Sequence, residues 1–191
     1  MAAARGVDPE WIRTTSGIES RRYAAADESV VSLGTEAARR CLAAASDAQI
    51  GLVLVASSSA PRRWPGPAAE VAQALGLSTV PALDVPLPSA GGVYALALAR
   101  SLAADYGDVL VVAAEKMSDV VNDAATHPNV AVLFGDGAAA CVVSARAGRA
   151  VIRDAVLHSD GSFADALRLD VHGPLTMDGR TIIMQANRKL P

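Results

Sequence analysis

The sequence predicts an α/β fold built around a largely internal sheet. Three observations carry this reading. Short β-rich apolar runs, at residues 50–56, 109–113 and 138–144, alternate with segments whose apolar residues recur at helical spacing. Start and stop signals for helices bracket those segments. The 191-residue chain is 51% hydrophobic but only 4% aromatic, so alanine, valine and leucine supply its apolar content. That composition suits close-packed helices and strands, in a chain long enough for a real core.

The elements follow in order. Asp8-Pro9-Glu10 opens a first helix with an N-cap acid, proline at the first position and an acid near the positive helix end. Gly17 ends it, and residues 18–23 suit a short strand. Val30, Leu33, Ala37, Cys41 and Ala44 predict an amphipathic helix over 29–45. Residues 50–56 form a buried strand. Residues 57–66 hold three serines, two prolines and a glycine, and so form a loop. A helix follows over 67–75, closed by Gly76, and then a strand over 81–85. After Pro86, Pro88 and Ser89, residues 90–103 are apolar on nearly every side, which predicts a helix buried all round and the most buried of the fold. Residues 109–113 are a clean buried strand. Two more strands, 130–134 and 138–144, are expected on either side of a tight hairpin turn at Gly135-Asp136-Gly137. A further strand is expected at 150–157, and a loop leading into a helix over 177–190. No linker, low-complexity tract or internal repeat stands out.

Charge and composition exclude several classes. The formal charge is −3 and no run of Lys or Arg is present, which argues against a nucleic-acid partner. No apolar stretch is long enough to cross a bilayer, and the first residues lack the apolar block of a signal peptide, so a cytoplasmic protein is expected. Cys41 and Cys141 read as small buried hydrophobes, with no disulfide framework. His127, His158 and His172 are scattered without metal-ligand spacing, so no metal is expected.

The segment with chemical promise is strand, tight turn, Ser89, helix. A nucleophile there would sit at a helix N-terminus, where orphan amides and the helix dipole favour an anion. Pro86 and Pro88 stiffen the approach, and Gly91 and Gly92 leave room for a substrate or a neighbouring backbone. Serine is equally a good N-cap, and the local pattern leaves both roles open. The Gly-x-Ser-x-Gly elbow of serine hydrolases is not met, because Leu87 holds the first glycine position. Gly135-Asp136-Gly137 precedes a strand, whereas a dinucleotide-binding loop would precede a helix.

Taken together, the segments resemble the β-ketoacyl-acyl carrier protein synthase III family of the thiolase superfamily. Trp11-Ile12 with Thr14, Ser16, Gly17, Ile18, Arg21 and Arg22 resembles its N-terminal signature. Ile50-Gly51-Leu52 through Ala56-Ser57-Ser58-Ser59 resembles its second strand and the following loop. Asp84-Val85, Ser89-Ala90-Gly91 and Tyr94-Ala95-Leu96 resemble the surroundings of its nucleophile. Phe134-Gly135-Asp136-Gly137-Ala138 is the most specific match, and His158-Ser159-Asp160-Gly161-Ser162 and Leu175-Thr176-Met177-Asp178-Gly179 follow in order.

The resemblance implies a thiolase-like α/β/α sandwich, in its N-terminal half and lacking the family's first strand. Residues 1–170 would form that half, and residues 171–191 a truncated start of the C-terminal half. It implies an acyltransferase or starter-unit condensing enzyme of polyketide or other secondary metabolism, moving an acyl group from a carrier-protein or coenzyme A thioester. The family's cysteine nucleophile falls on Ser89, a weaker nucleophile that needs a base beside it. Trp11 matches the adenine-stacking tryptophan of the coenzyme A grip, but Thr15 and Pro128 stand where the family has arginines. Without those cations a carrier-protein thioester, or a different acyl donor, is favoured over free coenzyme A, and no resident cofactor is implied. Trp64 and Phe134 are assigned to the substrate pocket; the family has a phenylalanine at the Trp64 position that enters the neighbouring subunit's acyl pocket. The implied partners are an acyl carrier protein and either a second copy or a complementing chain with the C-terminal half. No histidine here matches the family's base, and Met184-Gln185-Ala186-Asn187 only echoes its His-Gln-Ala-Asn motif. The alternative is a non-catalytic subunit of a heteromeric synthase III-like complex, in which Ser89 only caps a helix.

Overall fold

A computed structural model describes residues 5–189. In chain order it contains α1 (Pro9–Ser16), α2 (Val30–Ala44), β1 (Ile50–Ala56), α3 (Pro67–Ala74), β2 (Ala82–Val85), α4 (Gly91–Tyr106) and β3 (Asp108–Lys116). There follow α5 (Met117–Val121), α6 (Pro128–Ala131), β4 (Asp136–Val143), a 3-10 segment (Gly161–Ala166), β5 (Leu167–Arg168), β6 (Thr176–Met177) and α7 (Gly179–Lys189). The described residues divide into two compact units: 23–116 with 136–157, and 5–22 with 117–135 and 158–189.

The first unit is a three-layer α/β/α arrangement. Its sheet has the order β2-β1-β3-β4, with β1 parallel to both β2 and β3, and β4 antiparallel to β3. Successive residues of β1 point to opposite faces, so Val53 and Val55 pack under α2 and α3 while Leu52 and Leu54 pack under α4. All four are at most 1% exposed. At about 1.5–3 kcal/mol for each fully buried branched side chain, this one strand contributes strongly to the stability of the unit. The predicted helix signals act as expected at both ends. Ser29 and Ser32 form a capping box at α2. Gly17, at φ 72°, closes α1 by donating its N–H to the Arg13 carbonyl at 2.9 Å.

The second unit rests on two small clusters. Val7, Ile12 and Val132 form one; Val121, Val130, Ala131 and Leu175 form the other. The α7 end is tied down by Lys189, which pairs with Asp160 at 2.7 Å and lies over the Phe163 ring. The Lys189 ammonium, with help from the Ser162 hydroxyl, pulls the Asp160 carboxyl down to about 2.

Five expectations are corrected. Residues 18–23 form no strand. Residues 130–134 are not a strand either: His127-Pro128 starts α6, with His127 Nδ1 accepting the Asn129 N–H and proline at the first position. Consequently Gly135-Asp136-Gly137 is no hairpin turn. Asp136 begins β4, and its Oδ2 accepts the Ala24 N–H at 2.8 Å. Gly135 is needed for close approach, because a Cβ there would meet Arg21 Cβ at 3.0 Å and the Arg22 carbonyl at 3.1 Å. Residues 150–157 are irregular and pair with no strand; Arg100 of α4 instead donates to the Ile152 and Arg153 carbonyls.

The fifth correction concerns α4. Ala95 and Ala99 are fully buried, but Val93 is 59% and Leu98 42% exposed. The sheet covers one face of this helix, and Val93 and Leu98 lie off that face. The shorter α3 has the larger buried share, with Pro67, Ala68, Val71 and Ala72 all inside. β4 is an edge strand with exposed residues near its start. Leu190, the end of the last predicted helix, lies outside the described residues.

Candidate functional site

In the unit that contains Ser89, strands β1, β2 and β3 run parallel, and their C-terminal ends lie side by side: Ala56 is in register with Val85 of β2 and Ala113 of β3. Loops leaving this end of a parallel sheet are where an α/β fold places its chemistry. One such loop carries Ser89. Leu87 N–H donates back to the Val85 carbonyl at 2.9 Å, and Ala90 N–H donates to the Pro88 carbonyl at 2.5 Å. The second bond closes a three-residue turn centred on Ser89.

Ser89 adopts φ 54°, the sole non-glycine residue with positive φ among those described. Chirality makes that conformation costly by about 1–2 kcal/mol for a residue with a Cβ. Such strain persists only where the surrounding structure imposes it, and functional sites are where it gathers. Here Pro86 and Pro88 restrict the chain before the serine, and a Cβ on Gly91 after it would meet Ala56 and Leu87 at 3.5 Å. The side chain is exposed. It is not a helix cap: α4 begins at Gly91, its N-cap is Ala90, and no side chain caps it. The first amides of α4 are therefore left without a side-chain acceptor just beyond Ser89.

The other predicted site residues are placed as follows. Trp64 lies in the 57–66 loop that leaves the same end of β1, and is 85% exposed. Trp11 and Phe134 belong to the second unit. Trp11 is 39% exposed on α1, one residue from the buried Ile12. Thr15 is exposed on the same helix, and Pro128 is the first residue of α6. Arg13, the cation nearest Trp11 in sequence, is engaged by Glu10 at 2.7 Å. Phe134 is half-buried and packs against the cluster of Val121, Val130, Ala131 and Leu175. All three histidines lie in the second unit, so the unit that carries Ser89 contains none.

Glu115, which the sequence did not single out, and Asp84, named only as part of a motif, shape the site. Glu115, near the end of β3, gathers donors from Ser57, Ser58 and Ser59 at the exit of β1. Asp84 of β2 accepts the Ala68 N–H at 2.8 Å and so supplies the cap that Gly66 cannot give α3. An acid within a short β-rich run and another at the end of a buried strand were the available signals.

At the opposite end of the sheet lies a cavity of about 360 Å³ lined in part by Gln49, Asp108, Ser144 and Arg146. Burial alone would raise the Asp108 carboxyl, but the Ser144 hydroxyl, the Gln49 N–H and the Arg146 guanidinium outweigh it and hold it below the usual range. Cys41 and Cys141 are free thiols, half-buried rather than fully buried, and burial pushes both upward. Among the described residues no group of side chains could hold a metal ion, and no helix is long and apolar enough to cross a membrane.

The 3-oxoacyl-[acyl-carrier-protein] synthase III family matches residues 83–161, which span β2, the Ser89 turn, α4, β3 and β4. A β-ketoacyl-[acyl-carrier-protein] synthase III of Rubrobacter xylanophilus is 36% identical over 199 residues, covering 100% of this chain and 62% of that protein. The chain is a synthase III-like member of the thiolase superfamily. The synthase III crystal structure from Thermus thermophilus superposes on it with a TM-score of 0.86 at 33% identity, over 97% of this chain and 62% of that one. The priming β-ketosynthase of the R1128 polyketide pathway superposes with a TM-score of 0.81 at 30% identity, over 98% and 60%. The α/β fold of this synthase III-like chain is thus thiolase-like, and the chain spans about three fifths of the length of the relatives it matches.

Proposed function

We propose that this synthase III-like chain is part of an acyl-transferring enzyme in which Ser89 is the nucleophile. The observation that carries the reading is the Ser89 turn. The serine stands exposed, in a strained conformation, at the C-terminal end of parallel strands, and its side chain caps nothing. Strain without a structural return favours a chemical role over the capping role.

In the proposed first step, Ser89 Oγ attacks the carbonyl carbon of an acyl thioester. The C–S bond breaks, an oxygen ester forms, and the serine proton leaves through a general base to the departing thiol. The Ser89 backbone N–H and the uncapped start of α4 would support negative charge on the carbonyl oxygen. That support is only about 0.3–2 kcal/mol from the helix end, far short of ionising a serine, so a base is required. The proposed base is a histidine from the part of the enzyme corresponding to the relatives' C-terminal half. In the second step the acyl group passes to a carrier-bound malonyl unit, with loss of carbon dioxide, or to a hydroxyl or amine acceptor.

An acyl carrier protein thioester is the proposed donor, and coenzyme A the less favoured one. Trp11 offers a stacking face, but Thr15 and Pro128 offer no cation for a nucleotide phosphate. The proposed assembly is a two-fold dimer through β2, which pairs with β1 on one side and lies at the sheet edge on the other. Secondary metabolism is the proposed setting.

Intact mass of the protein after incubation with acyl thioesters of carrier protein or coenzyme A tests the reading. A mass gain of one acyl group, absent in Ser89→Ala, supports it. An enzyme complete with a histidine-bearing second half that takes up no acyl group points to the non-catalytic subunit instead.

A further inference from the structure

The exit of β1 is held by one carboxylate. Glu115 accepts the Ser58 N–H at 2.8 Å, the Ser59 N–H at 2.9 Å and the Ser58 hydroxyl at 2.9 Å. The Ser59 hydroxyl donates to it as well, and the Ser57 hydroxyl lies at 3.4 Å. Ser59 Oγ in turn accepts the Lys116 N–H at 2.8 Å. All the donors to Glu115 come from one three-residue segment, so the carboxylate dictates the backbone course of that segment.

The far end of the same loop is held by a second carboxylate, Asp84. Ala68 N–H donates to its Oδ1 at 2.8 Å, and a Cβ on Gly66 would lie 2.2 Å from its Oδ2. The 57–66 loop is thus strung between β3 and β2, and β2 leads directly into Ser89. Between the anchors Trp64 is 85% exposed. A loop free to relax would lay an indole on the nearest apolar surface, since burying it is favourable. The two carboxylates oppose that collapse.

We propose that Glu115 is a positioning residue. It fixes the 57–66 loop, with Asp84 as the second anchor, as a rigid wall of an acyl-binding site. This inference rests on the transfer reading for the word acyl, but not for the loop itself. Glu115 touches no reacting atom in this scheme; it acts through the loop and Trp64.

Arg62 and Arg63 are exposed within the loop, Arg62 also pairing with Glu70 of α3 and donating to the Pro65 carbonyl, so trypsin reports the opening of the loop. Glu115→Gln keeps the shape but turns an amide donor toward the Ser59 N–H. Cleavage after Arg62 or Arg63 is expected to speed up about tenfold or more, the effect of losing a hydrogen bond to a charged group. In the acyl-loading assay the same variant is expected to raise KM by a comparable factor, with kcat within about twofold. If Glu115→Gln fails to fold, Ser58→Ala removes a single donor and is expected to speed cleavage a few-fold. Unchanged cleavage in the folded variants overturns the proposal, as does faster cleavage with a fall in kcat alone. If the native protein takes up no acyl group while Glu115→Gln still speeds cleavage, the transfer reading fails and the loop assignment stands.

Discussion

Gly66 and Asp84 approach so closely that any side chain at residue 66 would displace the Asp84 carboxylate: a Cβ would lie 2.2 Å from Oδ2 and 2.7 Å from Oδ1. Gly66 has an ordinary φ of −72°, so its requirement for glycine is one of space. The consequence is measurable. Gly66→Ala is expected to lower stability by about 1–3 kcal/mol, the usual range for an overpacked site, because Asp84 must move and release the Ala68 N–H. Urea denaturation of the two proteins side by side checks this, and equal midpoints would show that the carboxylate moves freely.

Ser89 makes the opposite case, a non-glycine residue where glycine is the natural occupant. Replacing Ser89 with glycine relieves the positive-φ strain, whereas alanine keeps it. Ser89→Gly is therefore expected to be more stable than Ser89→Ala by about 1 kcal/mol, reversing the order found in helices and strands. Both are expected to lose acyl uptake. Thermal melts paired with intact mass separate the two effects. An alanine variant at least as stable as the glycine one would remove the strain argument.

Asp108 introduces a pH dependence at the other end of the sheet. Its carboxyl is held below the ordinary value, so the folded state favours the ionised form. The resulting stability is fully present above the unfolded value of about 3.9 and disappears as pH falls through the lower folded value. The ion pair with Arg146 at 2.6 Å and the Gln49 N–H at 2.8 Å are the contacts at stake. Asp108→Asn is expected to be less stable than the native protein at pH 7, with the gap closing below about pH 4. Denaturant midpoints across pH 3–7 test this; a gap independent of pH would mean that the carboxylate charge contributes nothing.

The apolar side chains left in solvent on the Ser89 unit predict its behaviour in isolation. Val93 and Leu98 on α4 are 59% and 42% exposed, and Val151 and Val156 are 78% and 73% exposed. Together with the open edge of β2, these form an association hazard. The 191-residue chain alone is expected to aggregate at micromolar concentration and to become monodisperse only with a chain that covers this surface. Gel filtration with light scattering decides it; a cooperatively melting monomer would count against both the hazard and the proposed dimer.

The elements of this fold that sequence alone determined are those governed by local chemistry. Caps and apolar spacing placed α1 to α4 and β1 to β3 within a few residues, because Asp8-Pro9, Ser29, Pro67 and Gly17 act on their own turns. The ordered motifs likewise carried the thiolase-like family and located Ser89 between β2 and α4. The misplaced elements were the ones with competing local signals. Residues 130–134 read as a strand by composition, but His127-Pro128 starts a helix there. Residues 150–157 have strand-forming residues and no ladder to join. Only the tertiary structure decided that Ser89 is twisted into positive φ instead of capping α4, that α4 buries one face rather than all, and that Glu115 and Asp84 grip the two ends of one loop. The grip on that loop depends on groups far apart in the chain meeting at the ends of parallel strands. Sequence periodicity reports which side of an element is apolar, but not which neighbour arrives to cover it.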